Sequence, residues 1–221
     1  MADRSGLAKI LVWDLPVRLV HWLMALLIPF SWWSAENDEM ELHRLSGYVL
    51  LGLLLFRLFW GFVGSEPARF ARFVKGPGAV RRYLRGDREG ATVGHNPLGG
   101  WSVVAMFAVL ALQIGLGLFA VDEDGLESGP LSYLVSFDTA RTIHELHHNN
   151  FWLLAGLILL HVGAILWYLL VRRKNLVAAM ITGRTRAEDG AVGPAMASPM
   201  RALAAMLVAA AAAWFVARGL R

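Results

Sequence analysis

No cysteine occurs anywhere in the 221 residues. Its absence excludes disulfides, iron–sulfur clusters held by thiolates and haem attached through thioethers. Charge is also scarce. Asp, Glu, Lys and Arg make up 17% of the chain against 57% hydrophobic residues, and the mean hydropathy is +0.50. Soluble domains are usually about a quarter charged. The long apolar runs carry no Asp or Glu except at their interfaces. There is no short-period repeat and no low-complexity tract. The net charge of +4 is scattered over short loops, so it does not read as a nucleic-acid footprint. Histidine remains as the obvious soft ligand.

Those runs come in blocks. A helix crosses a bilayer with about 17–25 mostly apolar residues, and four blocks qualify: Val17–Ser34, Leu42–Val63, Leu98–Val121 and Asn149–Val171. A fifth, shorter and alanine-rich, lies near Leu203–Ala217 and is read as a C-terminal span. Asp3, Arg4, Lys9 and Asp14 interrupt the first residues, which is not the pattern of a cleavable signal peptide. The first span is therefore read as a retained anchor. The sequence predicts an all-α integral membrane protein: a four-helix transmembrane bundle followed by a fifth helix. Residues 1–182 form the bundle, 183–200 a linker and 201–221 the last span.

Loop charge predicts the threading. "SAENDEMEL", between spans one and two, is acidic. The next connection carries Arg69, Arg72, Lys75, Arg81, Arg82, Arg85 and Arg88. Asp122, Glu123, Asp124, Glu127 and Asp138 fill the third against a lone Arg141, and Arg172, Arg173, Lys174, Arg184 and Arg186 follow span four. By the positive-inside rule the N-terminus and the basic loops are cytoplasmic and the acidic loops face outward. This is the threading of a multi-pass membrane protein with its N-terminus in the cytoplasm. Asp14 before "LPVRLVHW" and Asn96 before Pro97 read as helix caps, each with proline in the first turn. Trp13, Trp22, Trp32, Trp33, Trp60, Trp101 and Trp167 gather near span ends like an aromatic belt.

Histidine carries the functional signal. "HELHHNNFWLLAGLILLH" places His144, His147 and His148 at one end of span four and His161 within it. Imidazole in hydrocarbon is costly unless a partner satisfies it. A helix turns about 100° and rises about 1.5 Å per residue. His147, 14 residues before His161, therefore lies about 40° off its face and ~21 Å along the axis. His148 and His144 point about 140° and 100° away. One helix thus offers two imidazoles on one face at two depths. Depth matching pairs His21 with His161 on the inner side and His43 with His147 on the outer side. Each pair can grip one haem iron from both faces, which gives two stacked b-type haems in the bundle.

One depth is mismatched: His21 sits about 6 Å past Pro16, while His161 is about 15 Å short of Arg172. Helix tilt or a projecting span four would reconcile them. Arg57, 14 residues after His43, shares its face one layer deeper. It either meets a propionate of the inner haem or snorkels to the surface. Arg44, beside His43, is placed at the outer propionates, with an ordinary interfacial arginine as the alternative. His95 takes a local structural role beside a cap. His144 and His148 are read as solvated, with proton delivery at a quinone site as their functional alternative. Gly47, Gly52, Gly115, Gly117 and Gly156 permit close helix packing or make room for a flat macrocycle.

Three other readings compete. A histidine-lined divalent-metal transporter would need carboxylates in its spans. A passive anchor would not need four phased histidines. A terminal superoxide or ferric reductase would use the same haems.

"VWDLPVRLVHW", "LHRLSGYVLLGLLLFRLFWGFVGS", "GHNPLGGW" and the His147…His161 pair resemble the bacterial cytochrome b561 family, which includes the b-type cytochrome subunits of nickel–iron hydrogenases. The resemblance runs from Val12 to Thr182, roughly three quarters of the chain. It implies a di-haem four-helix core that passes electrons between the membrane quinone pool and a redox partner, with His21, His43, His147 and His161 as axial ligands. The partner expected is a c-type cytochrome or a peripheral, hydrogenase-like redox subunit. The chain departs from the family at one point: His148 stands where glutamate usually follows the ligand, and a His-Glu pair occurs instead at His144–Glu145. That keeps His144 open as an alternative to His147. The fifth span lies outside the resemblance.

Overall fold

A computed structural model describes residues 7–86, 96–188 and 193–220. His95 and Arg88 lie outside the described residues. The chain begins with a strand, β1 (Leu7–Leu11), and enters α1 (Leu15–Glu36) through a cap at Asp14, whose carboxylate accepts from Val17 N–H at 2.9 Å. A turn at Asn37–Glu39, with Asp38 at φ 59°, reverses the chain into α2 (Met40–Val63). So short a connection makes α1 and α2 an antiparallel hairpin. Two short helices follow, α3 (Phe70–Phe73) and α4 (Pro77–Leu84).

Asn96 then caps α5 (Pro97–Phe119), accepting from Gly99 N–H at 2.7 Å. After a loop that turns at Gly125, Ser136 caps α6 (Phe137–Leu170). The chain continues through α7 (Leu176–Thr182) and β2 (Arg184–Glu188) to α8 (Pro199–Ala217).

Five helices, α1, α2, α5, α6 and α8, are each long and apolar enough to cross a bilayer, and they cover the five predicted spans. Packing is uneven. α1 lies along α2, α5 along α6 and α8 along α2, while the two hairpins meet mainly through α2 and α5. α2 is the enclosed centre and buries Leu50, Leu53, Leu54, Phe56 and Trp60. By contrast, α6 buries only Ala140 and Leu154. A cleft therefore opens between the α1/α2 hairpin and the α5/α6 hairpin.

α6 starts well before the span read from sequence. Its 34 residues reach about 51 Å, against about 30 Å of hydrocarbon. The surplus is the polar run "FDTARTIHELHHNN", at the end of the bundle that carries the acidic loops. At the other, basic end α7 folds back beside the first turns of α1. The Ile181 carbonyl accepts from Arg18 Nη1 at 2.5 Å, and the Met180 carbonyl accepts from Trp22 Nε1 at 3.4 Å.

The described residues of the connection from 183 are hydrogen-bonded to the rest of the chain. Gly183, in the left-handed region at φ 76°, ends α7 and turns the chain alongside the N-terminus. There β2 pairs antiparallel with β1, Leu7 opposite Glu188 and Leu11 opposite Arg184. The Gly183 carbonyl accepts from Val12 N–H at 2.7 Å and Trp13 N–H at 3.0 Å. Further on, Ala197 N–H donates to Ser65 Oγ at 3.0 Å, and Glu66 N–H donates to the Ala195 carbonyl at 2.9 Å.

Candidate functional site

Near the acidic end, His43 on α2 and His147 on α6 face each other across the cleft. Their ring centroids are 6.0 Å apart and their planes cross at 89°. Each ring is held by a neighbouring helix. His43 Nδ1 donates to the Ser31 carbonyl on α1 at 2.8 Å, with Ser31 Oγ at 3.3 Å, and the same carbonyl accepts from Ser34 Oγ at 2.8 Å. His147 Nδ1 donates to the Gln113 carbonyl on α5 at 2.9 Å. A carbonyl can only accept, so Nδ1 carries the proton in both rings and each Nε2 keeps its lone pair. This is the tautomer a metal-ligating imidazole needs.

The cleft holds about 470 Å³, within the ordinary range for a small-molecule or cofactor site. Ile28, Trp32, Gly47, Gln113, Gly117 and Phe151 line it together with the two histidines. Gly47 leaves open space where a Cβ would stand, and a Cβ on Gly117 would come within 2.9 Å of His147 Cε1.

Toward the basic end stand His21 on α1 and His161 on α6. His21 Nδ1 is buried, and no described residue hydrogen-bonds to it. An unsatisfied imidazole nitrogen in an apolar bundle costs about 1–3 kcal/mol, so this position fits residues built around a further group. Two imidazoles 6.0 Å apart, each with its Nδ1 proton held by a backbone carbonyl, fit residues that would hold a haem b. Among the described residues no three His, Asp or Glu side chains form a metal cage of the kind a divalent-metal transporter would need.

The remaining candidates fall as follows. His147, rather than His144, has the ring that meets His43. His144 and His148 line the mouth of the cleft. Arg44 pairs with Glu127, whose N–H is held by Asp122 Oδ1 at 3.1 Å, which ties α2 to the loop after α5. Arg57 is buried, at 5% exposure. Its Nη1 donates to the Ala68 carbonyl at 3.3 Å, and its guanidinium lies over Phe107 (5.3 Å) and Phe70 (5.6 Å). Sequence reasoning missed Ser31, Glu127, Gln113 and Asn150. Gln113 Nε2 lies 3.3 Å from His147 Nε2 and donates to the His147 carbonyl at 3.0 Å, while its Oε1 accepts from Asn150 Nδ2 at 2.7 Å. The available signal was a lone amide in the apolar run "LALQIGLG", because polar side chains inside spans are functional by default.

An imidazole pair facing across two helices of a membrane bundle is an arrangement of intramembrane cytochromes. The chain belongs to the prokaryotic cytochrome b561 family, whose model matches residues 12–183. It is a membrane b-type cytochrome of electron transfer, and its cofactor is haem b. Its relatives include the probable Ni/Fe-hydrogenase B-type cytochrome subunit of Azotobacter chroococcum mcd 1, 27% identical over 207 residues (78% of this chain and 86% of the relative). The probable Ni/Fe-hydrogenase 1 B-type cytochrome subunit of Escherichia coli K12 is 25% identical over 208 residues (78% and 88%). The corresponding subunit of Cupriavidus necator is 22% identical over 226 residues (86% and 92%). No solved structure matches the chain. The family match ends at residue 183, so β2 and α8 lie beyond it.

Proposed function

We propose that this cytochrome carries two haems b, one between His43 and His147 and one between His21 and His161. In this reading it relays electrons between the quinone pool and a peripheral redox protein in the inner membrane. The observation that carries it is the His43–His147 pair: 6.0 Å apart, perpendicular, with both Nδ1 protons bound to backbone carbonyls. Haem held by two imidazoles supplies a one-electron iron couple. The residues supply the rest. Ser31 and Gln113 fix the tautomers, the helices exclude water, and α6 spaces the two ligand positions by ~21 Å.

The relatives' names support a nickel–iron hydrogenase as the partner. The acidic loops, on the side read as outward, suit a basic docking face on such a subunit or on a c-type cytochrome. Arg57, buried on α2, favours the reduced state electrostatically, while the charge of Arg44 is balanced by Glu127.

The test is a dithionite-reduced minus oxidised spectrum of the purified full-length protein, with haem counted per chain. Two haems are expected. His161→Ala is expected to leave one, and so is His147→Ala. A single haem in the unmodified protein, or full pigment in either variant, overturns the assignment.

A further inference from the structure

We propose that Gly117 and Gln113 on α5 are positioning residues for His147 and set the redox potential of the haem bound there. The inference rests on His147 as an iron ligand. In a regular helix the Gln113 carbonyl belongs to the N–H four residues on, which is that of Gly117. A side chain at 117 would cover this carbonyl. Glycine leaves it open, and the imidazole of His147 lies against the bare backbone. A Cβ at Gly117 would stand 2.9 Å from His147 Cε1 and 3.2 Å from Nδ1. That is closer than real Cβ contacts come, so the ring would have to move off the carbonyl.

The opening therefore permits the 2.9 Å bond from His147 Nδ1 to the Gln113 carbonyl. The Gln113 side chain completes the clamp by bridging the His147 carbonyl and Asn150 at 3.0 and 2.7 Å. A ligand imidazole that donates through Nδ1 to a carbonyl is a stronger electron donor. Stronger donation favours ferric over ferrous iron, which holds the potential low. Gly115, two residues earlier on the same helix, is a built-in control, because a Cβ there meets nothing within 4 Å.

The experiment compares Gly117→Ala with Gly115→Ala in the full-length holoprotein, by optical redox titration and by the largest g value of the low-spin ferric signal. In Gly117→Ala the His147-bound haem is expected to titrate higher, by at least a tenfold change in its one-electron equilibrium, about 59 mV, with an altered g value. The His21/His161 haem should not move, and it reports that the variant is folded. Gly115→Ala should behave as the parent. Selective loss of the His147-bound haem in Gly117→Ala also supports the inference, since the ring can no longer reach its place. A shift in Gly117→Ala no larger than in Gly115→Ala overturns it.

Gln113→Leu tests the side-chain half. It should speed loss of the same haem to apomyoglobin while the other haem is retained, and an unchanged rate and potential count against the clamp. If one variant fails to accumulate, the other carries the test. His147→Ala separates the two layers of the argument. Retention of both haems there refutes the ligand assignment itself. Loss of one haem there, beside an unmoved Gly117→Ala, refutes the clamp alone.

Discussion

Asp14 carries two hydrogen bonds that no local reading joins. One oxygen caps α1 at Val17 N–H, and the other accepts from Trp60 Nε1 at 2.9 Å at the far end of α2. The carboxylate is only 8% exposed. Replacing it strands a buried indole N–H as well as a helix end. Asp14→Ala is therefore expected to cost about 2–4 kcal/mol, the sum of a lost cap and an unpaired buried donor. Asp14→Asn, which keeps one acceptor oxygen, should cost about half of that. Thermal loss of haem absorbance in detergent measures both. An equal effect of the two variants would show that the cap and the indole bond are not separate contributions. At this scale the sequence was legible in the cap at Asp14 and in the meeting of the His147 ring with that of His43. It was illegible for Glu127 and Ser31, because their partnerships depend on how loops and neighbouring helices approach, and spacing along the chain does not encode that approach.

α8 packs on α2 through Ala205, Ala209 and Ala213, one small residue per turn. Gly52 faces them: a Cβ there would touch Ala213 Cβ at 3.5 Å. Gly52 is nine residues after His43, about 180° around the helix. α8 therefore covers the side of α2 turned away from the cleft. Ala209→Leu should overpack this seam at about 1–3 kcal/mol. The protein should melt earlier while its reduced spectrum and both midpoint potentials stay unchanged. A shifted potential would tie α8 to the redox centres. The five spans were readable from composition because hydropathy alone decides them. The return of α7 and β2 was not, because it rests on contacts with Arg18, Trp22 and the N-terminal strand, residues more than 150 positions away in the chain.

Charge orders the molecule as a whole. The acidic turn at Asn37–Glu39 and the loop around Asp122–Glu127 share one end of the bundle. α3, α4 and the connection after α6 bring the arginines to the other. The His43–His147 cleft lies at the acidic end, where Glu36, Asp122 and Glu127 also line it. This arrangement has a direction only if the threading follows the charge, and the cysteine-free chain gives a clean background for testing it. Leu126, 82% exposed at the tip of the acidic loop, and Arg82, exposed on α4, each accept a single cysteine without disturbing a buried contact. In intact cells whose outer membrane has been opened, an impermeant maleimide should label Leu126→Cys. It should label Arg82→Cys only after the inner membrane is breached. The opposite pattern would place the basic loops outside. The His21–His161 end of the bundle would then face outward and the His43–His147 cleft the cytoplasm.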